Sequence, residues 1–73
     1  MIILELKITK VKEGWQGLFF HNGNSFAQIN HSKQILIQDA KYTLVRELLN
    51  GLMDKSFDVI NKALSEIEVV IVE

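Results

Sequence analysis

Residues 15–30 read WQGLFFHNGNSFAQIN, in which Asn22-Gly23 joins two aromatic-rich runs. Asn and Gly tolerate the positive φ angles of a two-residue hairpin turn, so this stretch predicts two antiparallel strands. If His21 and Asn24 flank the turn, side-chain alternation places the apolar residues on two opposite faces. One face then carries Leu18, Phe20, Ala27 and Ile29, and the other carries Trp15, Phe19 and Phe26.

Apolar side chains on both faces of a hairpin are more than a sheet with one wet face needs. We therefore expect helices to cover one face and another molecule to contact the face that is left over. That face carries the Trp15 set or else the opposite set. Our preferred contact residues are the three aromatic anchors of the Trp15 set, together with two amide side chains that would orient the partner by hydrogen bonds. They are Trp15, Phe19, Phe26, Gln28 and Asn30.

The segments before and after the hairpin add one strand and one helix. Alternating apolar residues predict a strand from Ile2 to Val11, and Glu13-Gly14 breaks it. Residues 34–37 fit either a short strand or an extended approach to a helix, and Asp39 is a suitable N-cap for that helix. Its apolar stripe predicts continuation through Asn50-Gly51 to about residue 54, with a left-handed cap at Asn50-Gly51 as the alternative.

The last third of the chain predicts a short helix and a final strand. Ser56 is a suitable N-cap for the helix. Its inward-facing residues are predicted to be Phe57, Ile60, Ala63 and Leu64. Residues 67–72 are rich in β-branched residues and apolar on both faces, which favours a strand in a covered position. The whole chain, residues 1–73, therefore predicts one α+β domain, an antiparallel sheet in the order β-β-β-α-α-β with helices packed on one face.

The size of the chain suggests that it is supported by association. A domain of 73 residues is marginally stable alone, and the absence of Cys excludes a disulfide. Because 48% of the residues are hydrophobic, we expect a homodimer or another protein partner to bury the surplus.

Charge and hydropathy argue against nucleic acid and membrane as partners. The net charge is −1, and the nearest approach to a basic cluster, Lys7 to Lys12, is bracketed by Glu5 and Glu13. No apolar run approaches the roughly 18 residues that span a bilayer. The lack of Cys fits a reducing cytoplasm.

No set of residues predicts catalysis, a metal or a cofactor. His21 and His31 lie at opposite ends of one hairpin limb, and no carboxylate pair accompanies them. The spacing of Asp39, Asp54 and Asp58 does not put them on one helix face with a His. The chain is therefore interpreted as a non-enzymatic protein.

Residues 2–54 resemble the small HicB-type antitoxin domain. The likeness rests on the order strand, Glu13-Gly14-Trp15, strand, strand, followed by Asp39-Ala40 opening a helix. It implies a sheet-and-helix domain that dimerises and occupies a partner protein, and it assigns no individual functional residue.

The functional hypothesis from sequence is an interaction module that covers a surface of another protein. An antitoxin, a phage-type inhibitor or an accessory subunit would act in this way. The alternative is a protein that binds or sequesters a small molecule or nucleotide in a pocket at a subunit interface. That alternative rests on the mixture of aromatic and amide side chains around Phe26, Gln28 and Asn30.

Overall fold

The computed structural model describes all residues, 1–73, and contains four strands and two helices. Their bounds are β1 (Ile2–Val11), β2 (Gly14–His21), β3 (Asn24–Asn30), α1 (Lys33–Leu49), α2 (Phe57–Ser65) and β4 (Ile67–Val72). The strands form one sheet in the order β3-β2-β1-β4, and both helices pack on the same face of it. The predicted α+β class and element order are confirmed.

The β2–β3 hairpin has the predicted register. His21 pairs with Asn24, and Phe19 pairs with Phe26. Asn22 and Gly23 have φ angles of 51° and 78°, the two positive values that a tight hairpin turn of this length requires.

The predicted antiparallel sheet is wrong for one pair: the sheet is mixed, because β4 runs parallel to β1 while the other pairs are antiparallel. The two helices carry the chain back across the sheet, so β4 can enter beside β1 in the same direction. The amide of Ile2 donates to the carbonyl of Glu66 at 2.7 Å, where this pairing begins. β4 is therefore an edge strand, and the covered position predicted for residues 67–72 is wrong.

Helix α1 begins earlier than predicted. Ser32 is the N-cap, and its hydroxyl accepts a hydrogen bond from the amide of Ile35 at 3.3 Å. Residues 34–37 are helical, so the prediction that Asp39 caps this helix is wrong. By Asp39 the backbone amides already have partners one turn back, and no free N–H remains for its carboxylate.

Helix α1 also ends earlier than predicted, at Leu49. Asn50 adopts the left-handed conformation (φ 56°, ψ 46°), and its amide donates to the carbonyl of Arg46. The amide of Gly51 donates to the same carbonyl at 2.9 Å. The alternative of a cap at Asn50-Gly51 is thus confirmed, and continuation to residue 54 is wrong.

Helix α2 has the predicted cap but not all of the predicted inward residues. The hydroxyl of Ser56 accepts a hydrogen bond from the amide of Val59 at 3.3 Å. Ile60 is buried, and Ala63 and Leu64 pack against the core. Phe57, at the first helical position, is 83% exposed, so its predicted inward position is wrong.

The core lies between the helices and one side of the sheet, which we call the inner face. Its buried residues are Leu4, Leu6, Ile8, Phe19, Leu36, Ala40, Leu44, Val45, Ile60 and Ile67. Alternate residues of each strand point to the opposite side, the outer face, which neither helix covers.

Candidate protein interface

The outer face carries a set of apolar side chains, several of which are exposed. Its apolar residues are Ile3, Leu18, Phe20, Ala27, Ile29, Val70 and Val72. Phe20 is 71% exposed, Ile3 60% and Ile29 56%. Side chains of this size are normally buried, so a contiguous group of them on one face indicates a contact surface.

The charged residues of the outer face are confined to two of its four strands. Glu5 and Lys7 are both exposed on β1, and Glu68 is exposed on β4. The hairpin half of the face, formed by β2 and β3, carries no charge on this side. The face therefore combines an apolar half with a half in which opposite charges alternate with apolar groups.

Phe19 is in the core, which corrects its predicted role as a contact anchor. Its side chain is 2% exposed and stacks on Phe26, with ring centroids 5.0 Å apart and planes at 17°. A side chain so completely enclosed has no surface to offer another molecule. The exposed set of hairpin residues is the opposite one, which contains Phe20.

Trp15 also lies on the inner face, partly buried against the core. The ammonium groups of Lys10 and Lys33 lie 4.5 Å and 4.6 Å from the centroid of its ring. Lys33 in addition pairs with the carboxylate of Glu73 at 3.0 Å. The indole thus joins β1, β2 and the first turn of α1, a packing role that cation–π attraction reinforces.

Gln28 and Asn30 use their amides within the chain. The side-chain carbonyl of Asn30 accepts a hydrogen bond from the amide of Ser32 at 2.9 Å, directly before α1. The Gln28 side-chain amide donates to the hydroxyl of Thr43, which itself donates to the carbonyl of Asp39 at 2.8 Å. That Trp15, Phe26, Gln28 and Asn30 also bind a partner stays a prediction.

Gly17 is the sequence signal that identifies the covered face of the hairpin. A Cβ at Gly17 would lie 3.2 Å from Leu6 Cδ1 and 3.3 Å from Leu36 Cγ, closer than most real contacts. The missing side chain lets α1 approach the sheet at this point. Because Gly17 shares a face with Trp15 and Phe19, its position in the sequence already favours that face for the helices.

The ionisable groups are dispersed rather than gathered in one site. His31 follows β3 next to Gly14, while His21 ends β2 beside the hairpin turn. A hydrogen bond from Lys55 at 2.7 Å lowers the pKa of Asp54 below its ordinary value, and both residues lie in the loop between the helices. No group of three or more His, Cys, Asp or Glu side chains is placed to hold a metal ion.

Two cavities adjoin the sheet. One of about 380 Å³ lies where β1 meets the end of β2, and Ile3, Glu5 and Phe20 contribute to its lining. The other, about 440 Å³, is a groove between β3 and α1. Its lining residues are Gln28, Ile29, Asp39, Tyr42, Thr43, Arg46 and Leu52.

The groove contains one buried polar atom without a hydrogen-bond partner, Gln28 Oε1. The Thr43 hydroxyl donates its hydrogen bond to the backbone carbonyl of Asp39, so toward the Gln28 amide nitrogen it can only act as an acceptor. The Gln28 oxygen is left buried without a donor.

Neither helix is long and apolar enough to cross a membrane. Comparison of the chain with protein-family models, with curated proteins and with solved structures found no match.

Proposed function

We propose that this protein is a non-catalytic interaction module that binds another protein through its outer face. The observation that carries the proposal is the uncovered apolar surface centred on Phe20. Burial of such a surface against a partner is favourable by about 25 cal/mol per Å² of apolar area. An antitoxin-like protein, a phage-type inhibitor and an accessory subunit all act in this way, by occupying a surface of their target.

The composition of the outer face suits a protein interface. Interface centres are enriched in aromatic residues and depleted of charge, with polar groups at the rim. Phe20 and Leu18 lie on the uncharged hairpin half of the face, whereas Glu5, Lys7 and Glu68 lie on the other half. A large exposed aromatic near the centre of such a surface is the kind of residue that carries much of the binding free energy.

A matched pair of aromatic substitutions tests this function. The wild-type chain, Phe20→Ser and Phe57→Ser are used as bait in a lysate of the native host. Phe57 is the control because it is also exposed but lies at the start of α2. We expect a specific protein to be retained by the wild type and by Phe57→Ser and lost from Phe20→Ser.

The proposal would be contradicted if the retention of host proteins did not depend on Phe20. If Phe20→Ser keeps every protein that the wild type retains, the outer face is not the binding surface. The variant must show a wild-type circular dichroism spectrum, since Phe20 supports no core contact in the isolated chain.

A second candidate function is the binding of a small molecule in the groove between β3 and α1. It is favoured by the unpartnered Gln28 oxygen and by the convergence of Asp39, Tyr42 and Arg46 on one cavity of about 440 Å³. A ligand with a hydrogen-bond donor and an anionic group, such as a nucleotide, would complement these side chains.

Thermal unfolding in the presence of purine and pyrimidine nucleotides tests the second candidate. A ligand at 100 times its dissociation constant stabilises the folded state by about 2.7 kcal/mol, which raises the melting temperature. The shift should be lost in Arg46→Ala and kept in Lys62→Ala, a matched change on exposed α2 surface. Absence of any shift, or an equal shift in both variants, would contradict this candidate.

A further inference from the structure

The outer face has a regular pattern of charge and apolar groups across its strands. Lys7 on β1 pairs with Leu18 on one side and with Val72 on the other. Leu18 in turn pairs with Ala27. One row across the sheet is therefore basic at β1 and apolar on both neighbouring strands.

The adjacent row repeats the pattern with the opposite charge. Glu5, two residues before Lys7, pairs with Val70 of β4. The β1–β2 pairing ends at Lys7 and Leu18; Phe20, two residues beyond Leu18, is next in sequence and lines one cavity together with Glu5. On β2 and β4 both rows carry apolar residues, and at β1 they carry opposite charges; on β3 the first row has Ala27 and the second has Ser25.

We propose that the molecule bound on the outer face is a second copy of this chain, packed face to face. The two-fold axis lies in the plane between the two sheets and runs perpendicular to β1. The axis lies between the Glu5 and Lys7 rows, so each row lies on the other row of the second copy. Glu5 then lies on the second copy's Lys7, Phe20 on the second copy's Leu18, and Val70 on the second copy's Val72. In an interface of this symmetry each contact occurs twice.

The charges select this axis over the other simple arrangement. A two-fold axis parallel to β1 would place Glu5 on the second copy's Glu5 and Lys7 on the second copy's Lys7, and like charges in contact are unfavourable. Packed sheets cross at about 30°, but Glu5 and Lys7 each lie only about 3.3 Å along the strand from the axis. Their pairing is therefore little disturbed by the crossing angle.

The size of the outer face sets the expected strength of the dimer. Four strands about 4.8 Å apart, each contributing about 20 Å of length, give a plan area of roughly 400 Å² per copy. Stable interfaces bury about 800 Å² per partner, so this one, at about half that area, is in the range of weak, transient contacts. We expect a dissociation constant in the micromolar range rather than an obligate dimer.

Two charge substitutions test the arrangement. This inference rests on the proposed function, because it concerns the same face: the second copy covers the outer face until a target protein displaces it. In Glu5→Lys, and separately in Lys7→Glu, both intermolecular ion pairs become repulsive, and each chain should associate at least about tenfold more weakly than the wild type. Sedimentation equilibrium from about 1 μM to about 1 mM covers the relevant range.

Mixing the two variants is the decisive measurement. One chain then carries two lysines at these positions and the other two glutamates, so a heterodimer should form at concentrations where each variant alone is mostly monomeric. The double variant Glu5→Lys/Lys7→Glu should self-associate as the wild type does. Lys62→Glu, the same charge change on exposed α2 surface, should leave association unchanged.

The outcomes separate this inference from the proposed function. A wild-type dimer that neither single substitution weakens, or two variants that do not associate on mixing while circular dichroism shows both folded, overturns the proposed geometry. A wild-type chain that is monomeric throughout, while Phe20-dependent capture of a different protein persists, overturns the dimer alone. Monomeric behaviour without Phe20-dependent capture overturns both.

Discussion

Phe19 and Phe20 are neighbours in the chain but lie in opposite environments. The first is 2% exposed under the helices, and the second is 71% exposed on the outer face. Strand alternation requires this difference once one face is covered. Substitutions at the two positions should therefore separate folding from binding.

Replacing Phe19 by Ala should remove a large part of the stability. Truncation of a buried Phe costs about 3 to 5 kcal/mol, whereas a domain of this length has a free energy of unfolding of roughly 4 to 11 kcal/mol. Phe57→Ala, at an 83% exposed position, should change stability by less than about 0.5 kcal/mol. Urea unfolding followed by circular dichroism measures both. A Phe19→Ala chain as stable as Phe57→Ala would show that Phe19 is not in the core.

Gly14 and Gly23 both have positive φ angles, but only Gly14 is enclosed. A Cβ at Gly14 would lie 2.5 Å from the carbonyl oxygen of Asn30 and 2.5 Å from His31 Cα, whereas a Cβ at Gly23 would meet nothing within 4 Å. Gly14→Ala should therefore cost at least about 3 kcal/mol, because backbone must move. Gly23→Ala should cost only the conformational strain of about 1 to 2 kcal/mol. Equal losses in urea unfolding would contradict this account.

At the scale of elements, local sequence signals allow two starting points for α1, and tertiary packing decides between them. Ser32 and Asp39 are both good capping residues, and the apolar spacing fits a helix from either. Leu36 of α1 is fully buried and lies against Gly17 of β2. This packing favours the earlier helix start. That packing is a tertiary interaction, and the sequence around residue 36 does not contain it.

Ser32→Ala and Asp39→Ala distinguish the two possible starts of α1 by stability. Loss of an N-cap costs about 1 kcal/mol, so Ser32→Ala should lower the free energy of unfolding by this amount. The Asp39 side chain is exposed and has no capping role, so Asp39→Ala should be neutral within about 0.5 kcal/mol. The reverse order in urea unfolding would return the helix start to Asp39.

The elements that could be predicted are those with strong local signals. The hairpin turn at Asn22-Gly23, the strand Ile2–Val11 and the Ser56 cap each depend on contacts within a few residues. The parallel pairing of β4 with β1 depends on how two helices cross the sheet. Its direction therefore could not be predicted from the alternation of residues 67–72.

At the scale of the whole molecule, the candidate interface could be predicted only in part. The two sets of apolar hairpin residues were separable by alternation, but both contain aromatic rings, so hydrophobicity could not rank them. Val70 and Val72 of β4 lie on the same outer face as Phe20 only because β4 pairs with β1.

Self-association should couple to stability, because the second copy binds only the folded chain. A hundredfold rise in concentration then adds about 1 kcal/mol per chain, and the melting temperature should rise by about 4 to 8 °C. The Glu5→Lys chain should show a smaller dependence over the same range. Scanning calorimetry at low and high concentration measures both, and a wild-type melting temperature independent of concentration would contradict the coupling.

The parallel pairing of β1 with β4 has a consequence for biosynthesis. Of the six elements, the ribosome makes β1 first and β4 last, yet the two are neighbours in the finished sheet. Until Ile67–Val72 emerges, one side of β1 presents unpaired amides and carbonyls to chaperones and to other nascent chains. Slow translation of the codons before Ile67 would lengthen that interval, so the yield of folded protein should depend on how fast the last strand is delivered.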